Sequence, residues 1–221
     1  QAQWRALVRL DADSLLTWAL IGAGAVILIN CLYYPFIEDD TLSRYGLHAQ
    51  LIYRAGRIPS DLWGYPQLAP LTFVATWFAA GTTNEHLARV FPAVMALLLL
   101  GATYLVGVEV YGWRRHGLIA AALVMLTPMF VRNATLAYVD IPCTAFLMLM
   151  VFYALRWGRS GRVAEAMLAG LMGGMAMVTK QSALTWLASL AVVPVLWWIG
   201  TRAERATGRE RRQAWGRALR G

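Results

Sequence analysis

Charge is scarce in this chain. Of its 221 residues, 14% are Asp, Glu, Lys or Arg, where a soluble domain carries about 25%. Lysine is almost missing: 19 of the 20 basic residues are arginine, and Lys180 is the exception. Cysteine occurs twice, at Cys31 and Cys143, without metal-ligand spacing, which leaves no zinc module or disulfide framework. There is no glycine-rich phosphate loop and no repeat at a fixed period. There is also no charged-then-apolar leader and no initiator Met before Gln1, so the chain reads as a piece of a longer polypeptide. What is abundant is apolar: 59% of residues are hydrophobic, against about 45–50% in soluble domains. A soluble enzyme and a disordered chain are therefore excluded. The net charge of +8 does not point to nucleic acid, because the basic residues lie between apolar runs rather than on one face.

The apolar residues fall into uncharged runs. Residues 14–34, 90–108 and 181–201 are each long enough to cross a bilayer as a helix. Residues 117–131, 141–155 and 166–179 are shorter and need snorkelling flanks to do so. A further short run, 66–81, decides the topology. If it does not cross, 14 of the 20 basic residues lie on one side, as the positive-inside rule requires. If it crosses, the later loops invert and the arginine-rich tail lands outside. The sequence thus predicts an all-α integral membrane protein, a bundle of about six transmembrane helices. Residues 1–35 form the cytoplasmic N-terminus and first span. Residues 36–89 form an outer-face loop with an amphipathic and a re-entrant helix. Residues 90–201 carry five more spans, and 202–221 form a cytoplasmic arginine-rich tail facing anionic lipid.

This topology puts the acidic clusters and the lone lysine on the outer face. Glu38-Asp39-Asp40 follows the first span; such a cluster serves as a general base, as a divalent-metal site, or as a solvated loop. Residues 41–56 have apolar positions at helical spacing and a stop at Gly56. His48 within them reads as an interfacial side chain or a ligand. Asp140 stands where the outer loop meets a helix, as a cap or as a functional carboxylate at membrane depth. Lys180 ends an apolar helix, as a snorkelling anchor or as a site cation.

The order of these segments resembles the N-terminal module of the GT-C membrane glycosyltransferases, in the protein mannosyltransferase and lipid A aminoarabinose transferase group. The resemblance rests on Glu38-Asp39-Asp40-Thr41, Arg44-Tyr45, Ala55-Gly56-Arg57-Ile58-Pro59 and Tyr65-Pro66-Gln67. It continues through Ala88-Arg89-Val90-Phe91-Pro92, Tyr138-Val139-Asp140-Ile141-Pro142 and Val178-Thr179-Lys180. It implies transfer of a sugar from a polyprenyl-phosphate carrier to an acceptor on the outer face, in a bacterial inner (plasma) membrane. The implied base is Asp39 or Asp40, the second carboxylate is Asp140, and Asp39 and Asp40 are candidate ligands for a divalent metal ion. Lys180, Arg57 and Arg89 are candidate partners of the donor phosphate. Where the family often has Lys-Pro-Pro, this chain has Tyr65-Pro66-Gln67. The alternative is a non-catalytic GT-C-like subunit packing in a larger membrane complex. The implied partners are the lipid-linked sugar, membrane lipids and other membrane subunits, and no nucleic acid. Asp39 or Asp40, Asp140 and Lys180 are expected to line one outer cavity.

Overall fold

The computed structural model describes residues 11–188 except Trp63 and Ala137. One compact unit ends at Ala183; of the unit beginning at Leu184, only a helical stretch, 184–188, is described. The expected tail and most of the expected span 181–201 lie outside the described residues.

The described residues are helical, with no strand. α1 (Ala12–Tyr33) is capped by Asp11, whose side chain accepts from the Ser14 N–H. A π-helical turn (Thr41–Gly46) leads into the amphipathic α2 (Leu47–Ala55). α3 (Leu68–Ala80) follows, then the short α4 (Glu85–Ala88) and α5 (Val90–Tyr111). α6 (Arg114–Met125), α7 (Pro128–Thr135), α8 (Asp140–Ser160) and α9 (Val163–Thr179) complete the unit. Gly56 closes α2 in the left-handed conformation, at φ 65°, as the sequence predicts.

Among the described residues three helical segments are long and apolar enough to cross a membrane, Ala12–Tyr33, Glu85–Tyr111 and Asp140–Ser160, and the bent pair α6–α7 makes a fourth if it counts as one span. α1 carries Leu15, Trp18, Ile21, Val26 and Ile29 on an exposed face, as a lipid-facing helix does. The run 117–131, expected as one short span, is bent by 71° between α6 and α7. Pro128 lacks an N–H to continue α6, and Thr127 before it is extended.

Two apolar cores organise the unit. The bundle core joins α1, α5, α6, α7, α8 and α9 through Ile27, Leu99, Met125, Phe130, Phe146 and Ala176. A second core caps one end of the bundle. It joins the loop after α1, the π-helical turn, α2 and α3 through Phe36, Tyr45, Ile52, Phe73 and Trp77. α3 belongs to this cap. At 13 residues it is about 20 Å long, short of the roughly 30 Å hydrocarbon core.

The two ends of the bundle differ in charge. At one end Arg115 pairs with Asp13, Arg159 with Glu109 and Arg156 with Glu165. The cap end carries the acidic loop after α1, the start of α8 and the end of α9.

Candidate active site at the capped end of the bundle

The site is assembled by backbone clamps. The first is Arg89, between α4 and α5. Its side chain is buried, and its guanidinium donates to the carbonyls of Tyr34, Pro35 and Thr135. It holds the loop after α1 to the end of α7. α4 adds two more ties: Glu85 accepts from the Phe36 N–H at 3.0 Å, and His86 Nδ1 lies 2.9 Å from the Leu32 carbonyl. Asn84 caps α4, and its carbonyl accepts from Trp77 Nε1 at 2.9 Å. Of the residues expected at the donor phosphate, Arg89 is therefore spent on carbonyls.

These clamps present the acidic loop. Glu38 accepts from the Tyr138 hydroxyl at 3.0 Å, joining the loop to the residues before α8. This bond and the neighbouring carboxylates push the Tyr138 phenol above its usual range. Asp40 is half exposed and lies 3.8 Å from Arg44 one turn later. Asp39 is exposed and has no ion pair or hydrogen bond among the described residues.

Asp140 opens α8, and its Oδ1 lies 2.5 Å from Lys180 Nζ at the end of α9. Both side chains remain partly exposed. Lys180 is thus held by Asp140 across 40 residues of sequence, rather than extended alone to the headgroups.

Between these charges stands a tyrosine pair. Tyr45 and Tyr65 hydroxyls are 3.1 Å apart, and Tyr45 is buried. Arg44 lies over the Tyr65 ring, 5.9 Å from its centroid, and His48 meets it edge-on. Burial raises the Tyr45 phenol far above its ordinary range, the Tyr65 hydrogen bond raises it further, and the charges of Asp40 and Asp140 add to this. Two of the three predicted aspartates, Asp40 and Asp140, thus bear on one phenol through their charge. His48 is pushed below its usual range, chiefly by burial, and its Nδ1 is buried without a partner.

Beside the pair a cavity of about 550 Å³ opens between the start of α3 and the end of α9. Tyr65 and Gln67 line one wall, and Met177, Val178 and Gln181 line the other. Gln181 Nε2 donates to the Gly64 carbonyl at 3.0 Å, closing one edge. Thr179 and Lys180 lie in sequence between the lining residues Val178 and Gln181.

The structure thus brings Asp140 and Lys180 into contact, while Asp40 pairs with Arg44 and bears on the same phenol, Tyr45, as Asp140 does only through its charge. Arg57 is exposed, just past Gly56. Asp39 and Asp40 do not fit a metal site: among the described residues no cluster of three His, Cys, Asp or Glu side chains converges, and Asp40 is turned to Arg44. Sequence reasoning missed Tyr45, Tyr138 and Gln181 as site residues. Their signal was position alone, beside Arg44, Asp140 and Lys180.

Residues 69–208 match the sequence profile of the dolichyl-phosphate-mannose-protein mannosyltransferase family. The chain belongs to this family. The match covers Arg89, Asp140 and Lys180 and begins after the acidic loop. No curated protein and no solved structure matches the chain. A GT-C-type membrane glycosyltransferase module accounts for the all-helical fold and for polar chemistry gathered at one end of the apolar bundle.

Proposed function

We propose that this mannosyltransferase-family chain transfers a sugar from a polyprenyl-phosphate carrier to a hydroxyl or amine acceptor at the outer face of a bacterial plasma membrane. The observation that carries the reading is the Asp140–Lys180 ion pair, at the same end of the bundle as the acidic loop, the Tyr45–Tyr65 pair and the 550 Å³ cavity. Asp40 is the base. Unlike Glu38 it accepts no tyrosine hydroxyl, and unlike Asp39 its charge bears on Tyr45.

In this reaction the acceptor's proton passes to Asp40 as its oxygen or nitrogen attacks the anomeric carbon. The bond from that carbon to the phosphate oxygen breaks, and the electron pair leaves with the lipid phosphate. Direct displacement inverts the anomeric centre. Lys180 stabilises the charge developing on the phosphate, and Asp140 holds the ammonium in place. Arg57, exposed beside the cap, is the second candidate cation. The arginine-rich end of the bundle faces the cytoplasm, with both termini.

The test is a transfer assay on the full-length purified protein with defined polyprenyl-phosphate sugars. Asp40→Asn is expected to lower kcat by at least about 100-fold with donor KM little changed, while Lys180→Gln raises donor KM as well. Undiminished turnover by the folded double variant Asp39→Asn/Asp40→Asn would overturn the acidic loop as the base, and no transfer by wild type with any donor would leave only the non-catalytic subunit.

A further inference from the structure

A second cavity lies along the side of the bundle, on the helix that precedes the acidic loop. It is a groove of about 360 Å³ between α1, α5 and α6. Its walls are almost wholly apolar, from Leu20, Ile21 and Leu28 on α1 to Leu97 and Leu100 on α5 and Leu118 on α6. Two glycines shape it. A Cβ at Gly24 would touch Leu97 Cδ2 at 3.0 Å, whereas a Cβ at Gly101 would meet nothing within 4 Å. Gly101 therefore leaves its space to the groove rather than to a packing partner.

Along α1 the groove runs from Thr17 to Leu28. At 1.5 Å per residue that is about 16 Å, close to the depth of one leaflet of hydrocarbon. The Thr17 end carries charge. Arg114 Nη2 donates to Thr17 Oγ1 at 3.4 Å, and Arg115 follows it on α6. Arg115 lies 3.7 Å from Asp13, one turn before Thr17. Arg114 has no carboxylate within ion-pair distance among the described residues. An apolar trough one leaflet deep thus ends at a guanidinium whose charge is not neutralised.

We propose that this groove is a binding site for an anionic phospholipid, one acyl chain lying between α1 and α5 and the phosphate on Arg114. The charge selects the headgroup: a zwitterionic lipid of equal chain length fills the trough but brings no net charge to the guanidinium. A lipid here fills the space that α1 leaves against α5. The site is separate from the transfer chemistry and does not depend on it.

Native mass spectrometry of the full chain from mild detergent tests the site, with dioleoyl phosphatidylglycerol and dioleoyl phosphatidylethanolamine as probes. Wild type is expected to retain one phosphatidylglycerol, with about fivefold preference over phosphatidylethanolamine. Arg114→Gln is expected to lose that preference and keep the weaker, charge-blind binding. Gly101→Leu fills the groove from a position with no neighbour to strike, and is expected to lose both lipids with its helical circular dichroism unchanged. Equal retention of the two lipids by wild type overturns the proposal, as does retention by folded Gly101→Leu. A wild-type dimer that Gly101→Leu converts to monomer overturns it too, because the groove would then hold a second copy of the chain.

Discussion

Arg89 illustrates the difference between a charged residue in a motif and a charged residue in a fold. In the sequence it sits at a helix start among the phosphate candidates. In the structure its side chain is buried and feeds three carbonyls that no helix satisfies: two just after α1 and one at the end of α7. A carbonyl left without a donor costs about 1–3 kcal/mol where water cannot reach it, and the residues bearing these carbonyls are exposed or half-exposed. Arg89→Ala is therefore expected to lower stability by about 1–3 kcal/mol. Arg89→Lys recovers only part of this, because one ammonium cannot match the spread of a planar guanidinium. Thermal unfolding in detergent measures the loss. If Arg89 instead served the donor phosphate, the alanine variant would melt like wild type and fail only in donor binding.

At the level of elements, the sequence was legible where a single physical demand dominated. The uncharged runs 14–34, 90–108 and 141–155 became α1, α5 and α8, because a bilayer requires continuous apolar helix. α3 was legible as a helix, and its place in the cap core agrees with its short length. What escaped were features set by local backbone demands. The break between α6 and α7 turns on Pro128, which the apolar run disguised. The π-helical turn before α2 needs Gly46, since a Cβ there would lie 2.6 Å from the Thr41 carbonyl. The α5–α6 crossing needs Gly107 and Gly117: a Cβ on Gly117 would lie 2.6 Å from the Tyr104 carbonyl. Backbone cannot swing aside as a side-chain tip can. Gly117→Ala is therefore expected to destabilise by roughly 1–3 kcal/mol, although alanine is the better helix former. Gly170→Ala on α9, where nothing lies within 4 Å, is expected to gain about 0.5–1 kcal/mol instead. Opposite signs in paired melting curves check the crossing; equal gains for both would mean α5 and α6 do not meet there.

Over the described residues, the acidic loop, Asp140 and Lys180 share one end of the bundle, with Arg44 and Arg89 beside them. Arg114, Arg115, Arg156 and Arg159 lie at one end and pair with, or lie beside, only a few carboxylates. Glu38, Asp39, Asp40 and Asp140 lie at the other, with Lys180 among them. The candidate site was legible to the extent that it depends on this sorting. Membrane-crossing runs force every second loop to the same side, so Asp140 and Lys180 had to share an end with the acidic loop. Their direct ion pair and the Tyr45–Tyr65 bridge were not legible, because neither spacing nor period encodes which side chains meet within an end. The sequence count of 14 of the 20 basic residues on one side predicts an orientation by the positive-inside rule. Ser43 on the π-helical turn and Arg162 before α9 are both exposed, at opposite ends. The native cysteines, Cys31 and Cys143, are buried and stay silent to a thiol reagent. In intact cells a membrane-impermeant maleimide added outside is expected to label Ser43→Cys and not Arg162→Cys. Permeabilised cells should label both. The reverse pattern in intact cells would invert the molecule, place the carboxylates and the cavity in the cytoplasm, and remove the outer-face transfer reaction from consideration.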